Sequence, residues 1–222
     1  MSKFANFLVL VFTVCIGQMA VADTFSVGLG KTKLGQLSYS NASGGASLRS
    51  TLDNTPLGVF NGTFSATSRN SDGVRTFDGL SKSSRKNRRV QVSVKEGRVV
   101  ETLVEPVSEM TPLSDPTRVP EGTVDPVQGI GKLIHARTCP KGFTIYDGRR
   151  AIALIPTEKT TEGDTEICSI AYKVIAGPGH LSPLKISNAK MKLTYVTKGS
   201  TRTLARIDIA SGIFKLALDR MK

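Results

Sequence analysis

The run Arg89-Val90-Gln91-Val92-Ser93-Val94-Lys95 alternates polar and apolar residues without a break, and this period of two constrains the fold more than any other feature of the chain. Successive side chains of a strand point to opposite faces, so the valines share one face and the polar residues the other. That is the pattern of an antiparallel sheet with one wet side. From Phe25 onward similar short segments recur, separated by Gly, Asn, Asp and Ser. Strands are expected over residues 35–40, 46–52, 59–68, 76–80, 89–95 and 99–104. Turns are expected over 41–45 and 53–57, with a tight hairpin at Lys95-Glu96-Gly97-Arg98.

The rhythm breaks over residues 105–127, where Pro106, Pro112, Pro116, Pro120 and Pro126 cannot all sit in paired strands. An extended crossing segment is expected there. It leads to Asp125-Pro126, an acceptor side chain followed by a proline suited to a first helical turn. Val127, Ile130, Leu133 and Ile134 then fall at helical spacing, which predicts one short amphipathic helix over 126–136, with Gly129 and Gly131 counting against it. Strands resume over 142–147, 149–157, 167–175, 190–197 and 202–210, with hairpin turns at Asp147-Gly148 and Lys198-Gly199. Residues 176–187 hold Pro178, Gly179 and Pro183 and read as a loop, and 213–218 as a strand closing the sheet. The fold class expected is therefore mainly β: a curved antiparallel sheet or incomplete β-barrel with one short helix.

The first 22 residues follow different rules. Lys3 precedes an apolar run from Phe7 to Ile16, and Ala20-Val21-Ala22 supplies a small-x-small end before Asp23. The run is about half the length of a membrane-spanning helix, and Gly17 and Gln18 close it with no stop-transfer segment. A cleaved signal peptide over 1–22 is expected, leaving one β-rich domain over 23–222, periplasmic or secreted and without a transmembrane segment. A short membrane anchor or a first core helix is the competing reading. Cys15 does not make a lipid-attachment site, since Val14 before it is branched and bulky.

Removing the leader changes the charge and cysteine arithmetic. The full chain carries a formal +12, and Lys3 is the one charged residue in the leader, so the mature chain carries +11. A basic surface attracts anions. Outside the cytosol the abundant polyanions are lipid headgroups, lipopolysaccharide and acidic cell-wall polymers, so an anionic envelope component or an envelope protein is the expected partner, and nucleic acid is not. A solvated basic surface with no specific ligand is the alternative. Only Cys139 and Cys168 remain, in a compartment where disulfides persist, and a bridge between them is expected over two isolated thiols.

No catalytic constellation emerges. His135 sits where a helix ends and reads as a helix C-terminal cap, and His180 in Gly-Pro-Gly-His reads as a solvated loop residue. Neither has metal-ligand spacing. Gly28-Leu29-Gly30-Lys31-Thr32 lacks the earlier glycine of a phosphate loop. No metal and no cofactor are expected. The candidate anion-binding residues are the cluster Lys82, Arg85, Lys86, Arg88 and Arg89, whose side chains would fan outward, and the pair Arg149 and Arg150 after the structural turn Asp147-Gly148. A charged edge that discourages aggregation explains the cluster equally well. Arg149 and Arg150 are expected on opposite faces of a strand, one of them inward with Asp147 as its partner.

Asp125-Pro126, the short helix, Cys139, Phe143-Thr144-Ile145-Tyr146-Asp147-Gly148-Arg149-Arg150 and Cys168 before Tyr172-Lys173-Val174 together resemble an exported proteobacterial family catalogued as domain of unknown function 3108. Leu204-Ala205-Arg206-Ile207 fits the family's end, while the first half of the chain matches in style alone. The resemblance implies a curved antiparallel sheet and an envelope location, and it supplies no activity. Three classes of function follow: a non-catalytic envelope protein holding a lipid or other amphiphile or docking an envelope partner, a structural or interaction protein without a small ligand, and a cell-envelope hydrolase or transferase. The first is the expectation taken forward.

Overall fold

The computed structural model describes residues 22–55, 61–83, 86–180 and 186–222. Residues 1–21 of the expected signal peptide, Val59 and Phe60 of the third expected strand, Pro56 and Leu57 of the second expected turn, and Arg85 of the basic cluster lie outside the described residues.

Among the described residues thirteen strands form one antiparallel sheet that is not closed into a barrel: β1 Asp23–Leu29, β2 Thr32–Ala42, β3 Gly45–Leu52, β4 Gly62–Ser71, β5 Val74–Ser83, β6 Asn87–Lys95, β7 Arg98–Glu105, β8 Phe143–Tyr146, β9 Ala151–Glu162, β10 Thr165–Ala176, β11 Asn188–Lys198, β12 Thr201–Ser211 and β13 Phe214–Arg220. Their spatial order is β7-β6-β5-β4-β3-β2-β1-β13-β12-β11-β10-β9-β8. Two meanders therefore meet at the first and last strands, with Phe25 opposite Arg220 and Val27 opposite Leu218. The middle of the chain must then travel from one sheet edge to the other.

Register follows side-chain parity. Val90, Val92 and Val94 of β6 are all buried, and Phe77 of β5 faces Val92 across the ladder. A one-residue slip would turn this apolar set outward, which fixes the pairing. Bulges between Val27 and Gly28, Ser93 and Val94, Ser169 and Ile170, and Thr194 and Tyr195 add local bend to the sheet.

The crossing segment departs from the expected extended form. It is a series of 3-10 turns, Val107–Glu109, Pro112–Ser114 and Pro116–Arg118, each with a proline at its first position or just before it. Fixed φ at proline suits such turns as well as it suits extended chain. Helix α1, Pro126–His135, the one α-helix among the described residues, begins as the sequence predicts: the Asp125 carboxylate accepts from the Gln128 N–H at 2.9 Å, and Pro126 opens the first turn.

Helix α1 lies on the inner face of the sheet. Ser68 of β4 donates to Asp125 at 2.7 Å, and Tyr195 of β11 donates to the Leu133 carbonyl at 3.0 Å. The two glycines that weaken the helical pattern explain the close approach. A Cβ on Gly131 would come within 2.4 Å of the Tyr39 hydroxyl, and one on Gly129 within 2.6 Å of Ile145. Beyond the helix, Cys139 and Cys168 form a disulfide, with Cα atoms 5.3 Å apart. Beside it Glu166, 2 % exposed, accepts from the Cys139 N–H at 2.7 Å and Thr138 Oγ1 at 2.8 Å. Arg202 and Lys159 complete its shell at 2.9 and 3.1 Å.

Candidate functional site

The inner face changes character along β5 and β6. Phe77, Gly79 and Ser81 occupy successive inward positions of β5, opposite Val92, Val90 and Arg88 of β6. Arg88 thus belongs to the same face as the valines, two residues beyond Val90. Lys86 continues that row just before the strand. The expectation that the cluster fans outward is corrected by this parity: Arg89 alone of β6's two arginines points to the wet face, where it grips Asp78 at 2.8 and 3.1 Å.

Lys86 and Arg88 converge on Glu109, a carboxylate from the first 3-10 turn of the crossing segment, 7 % exposed. Arg88 donates to Oε2 from Nε at 3.0 Å and Nη2 at 2.5 Å, and Lys86 Nζ donates to Oε1. Arg149 joins from the opposite sheet arm, its Nη2 3.1 Å from Oε2 and its Nε donating to the Glu109 carbonyl. Burial pushes the Glu109 carboxyl upward, but the hydrogen bond from Lys86 and the charges of Arg88 and Arg149 outweigh it and hold the group below the usual carboxylate range. Arg149 is pushed down by burial first and by the neighbouring Arg88 second. Three cations share one carboxylate, leaving a local formal excess of +2.

Of these groups Arg88 and Arg149 line a half-open cleft of ≈ 290 Å³ between β4–β6, α1 and β8–β10. Its walls are Phe64, Phe77, Val90, Ile130, Ile145 and Ile152, and its polar lining includes Ser81, Arg88, Asp147, Arg149, Tyr172 and His180. The space is apolar along most of its length and cationic at one side.

The turn 147–150 shapes the second wall. Asp147 Oδ1 accepts from the Arg149 and Arg150 N–H groups at 3.0 and 2.9 Å, and Gly148 takes φ +86°. A Cβ on Gly148 would meet Val90 at 2.2 Å, so the turn can nest against β6 only with glycine there. Arg149 and Arg150 precede β9 rather than lying in it, Arg150 buried and Arg149 partly buried, which corrects the expected opposite-face placement. Arg150 does pair with Asp147, at 2.9 Å, although its Nε and Nη1 make no hydrogen bond.

His180 is not the solvated loop residue expected. It is partly buried, exchanges two backbone hydrogen bonds with Ile186 at 2.7 and 2.8 Å, and shares one between its Nε2 and the Tyr172 hydroxyl at 2.5 Å. Burial, then the charge of Arg150, pushes its pKa down to about 4, so the ring is neutral at pH 7. Burial holds the Tyr172 hydroxyl protonated as well. The pair therefore offers uncharged polar contacts beside an apolar wall. His135 lies in the last turn of α1, set edge-on to Tyr39 and 3.7 Å from Asp23. Lys82 is exposed on β5 and does not line the cleft.

Sequence reasoning missed Glu109, Tyr172 and His180. The spacing of Lys86, Arg88 and Val90 could have placed the two cations on the inner face; nothing local singles out Glu109. A larger cleft of ≈ 480 Å³ over β9–β13 mixes Lys190, Lys192 and Lys215 with Glu158 and Asp208. Among the described residues no group of His, Cys, Asp and Glu is placed to hold a metal, and no helix is long and apolar enough to cross a membrane. No family model, curated protein or solved structure matches the chain.

Proposed function

We propose that the protein is a non-catalytic binding protein of the cell envelope that holds an amphiphile, with its apolar part in the cleft and its anionic part at the cationic rim. The observation that carries this reading is the cleft itself: an apolar space of ≈ 290 Å³ bordered by Arg88 and Arg149, whose shared carboxylate leaves them in excess. Small-molecule sites combine apolar walls with a few placed polar groups in this way. The export signal read in Met1–Ala22, the formal +11 of the remaining chain and the resemblance to the exported family of domain of unknown function 3108 support an envelope address. The disulfide is compatible with an oxidising compartment.

Native mass spectrometry of the protein purified from the periplasm tests the reading. Reproducible adducts with the mass of a lipid or other amphiphile are expected. Bare protein, together with no binding of an apolar fluorophore such as 1-anilinonaphthalene-8-sulfonate, would overturn it.

A further inference from the structure

We infer that the cleft takes a single alkyl chain ending in an oxyanion, such as a fatty carboxylate or an alkyl phosphate, and not a two-chain lipid. The inference rests on the amphiphile-binding reading and narrows it by volume and charge. Water in the liquid occupies roughly 30 Å³ per molecule, so ≈ 290 Å³ accommodates about ten non-hydrogen atoms of comparable size. One medium-length chain fills that space, and a second chain has no place in it. The half-open mouth lets a longer chain protrude without adding buried area.

The head is specified by the arginines. Glu109 engages Nε and Nη2 of Arg88, and Nη2 of Arg149, whereas Nη1 of each arginine has no hydrogen-bond or ion-pair partner among the described residues. Two guanidinium groups from opposite arms of the sheet thus keep donors to spare beside a carboxylate that neutralises one charge of three. An incoming oxyanion would accept from those donors and lower the +2 excess. A cationic head would add to it. Ser81, opposite Arg88 on the adjacent strand, and the neutral Tyr172–His180 pair supply hydrogen bonds that do not depend on the charge of the head.

Isothermal titration of the mature protein with n-alkyl carboxylates, alkyl phosphates and alkanols of six to sixteen carbons tests this without any variant. Affinity is expected to rise with chain length and level off near ten carbons, and decanoate or decyl phosphate to bind at least tenfold more tightly than decanol. Arg88→Gln and Arg149→Gln, checked for folding by circular dichroism, are each expected to weaken the anionic probes about tenfold and leave decanol unchanged, with Arg88→Lys recovering part of the loss. Equal affinity for decanol and decanoate, or tighter binding of a two-chain phosphatidylglycerol than of any single-chain probe, would overturn the inference and leave the amphiphile reading standing. Failure of every probe to bind at millimolar concentration would overturn both.

Discussion

His180 stays neutral in the folded protein because a charge there would be buried, with Arg150 adding repulsion that Asp147 only partly offsets. An exposed histidine titrates near 6.5 and this one near 4, so the unfolded chain binds the proton more readily between those values. The stability this residue contributes is therefore fully present above pH 6.5 and is lost as pH falls towards 4. Urea unfolding of the wild type is expected to lose roughly 2–3 kcal/mol between pH 7 and 4.5 that His180→Gln does not lose. Equal pH dependence in the two proteins would show that the ring is not buried neutral. Glu109 and Glu166 act lower on the scale. In each, burial opposes ionisation but hydrogen bonds and cations outweigh it, so their contribution is lost only as pH falls through the depressed carboxyl values. The face on which Arg88 lies follows from its place two residues from Val90, but its engagement by Glu109 was not legible, because the partners of Glu109 lie 21, 23 and 40 residues away.

Helix α1 shows at the level of an element how local rules and packing divide the work. Its start is encoded in Asp125-Pro126, whose cap bond forms as the residue types dictate. Its glycines cost helix propensity, roughly 1 kcal/mol each relative to alanine, and are explained only by Tyr39 of β2 and Ile145 of β8 pressing on the helix. The stretch after the helix is fastened twice, by the Cys139–Cys168 disulfide and by Glu166 accepting from Thr138 and Cys139. The cysteines are 29 residues apart, and on the chain-entropy account closing such a loop stabilises by roughly 3–4 kcal/mol. Cys139→Ser with Cys168→Ser should lower the unfolding free energy by about that amount in denaturant titration. Thiol labelling of the unfolded, unreduced wild type should modify neither Cys139 nor Cys168; labelling of both would refute the bridge in solution. The 3-10 turns of the crossing segment were not legible, because prolines at this spacing permit both extended and tightly turned backbone.

For the molecule as a whole, joining the first and last strands sends both sheet edges to the middle of the sequence. Edge strands β7 and β8 do not pair, yet one side chain spans the gap: the Tyr146 hydroxyl donates to the Leu113 carbonyl at 2.7 Å and lies 3.1 Å from Thr102 Oγ1 on β7. Tyr146 and Thr102 are both buried, so removing the hydroxyl strands two polar partners away from water. Tyr146→Phe is expected to cost about 1–3 kcal/mol in urea unfolding. No measurable loss would show that the Tyr146 hydroxyl does not hold the two edges together. The cleft is a product of this same closure, since Arg88 comes from one arm and Arg149 from the other.

By itself the sequence determined the strand parity, the hairpin turns, the helix start and the pairing of the two late cysteines, because each depends on neighbours along the chain or on a count of residue types. Tertiary structure decided which strands lie side by side across the chain ends, where the helix rests, and which cations face inward onto Glu109. Those outcomes depend on the space left between the two curved arms of the sheet and on desolvating charges at their meeting point. Neither quantity exists until the long-range strand pairs have formed.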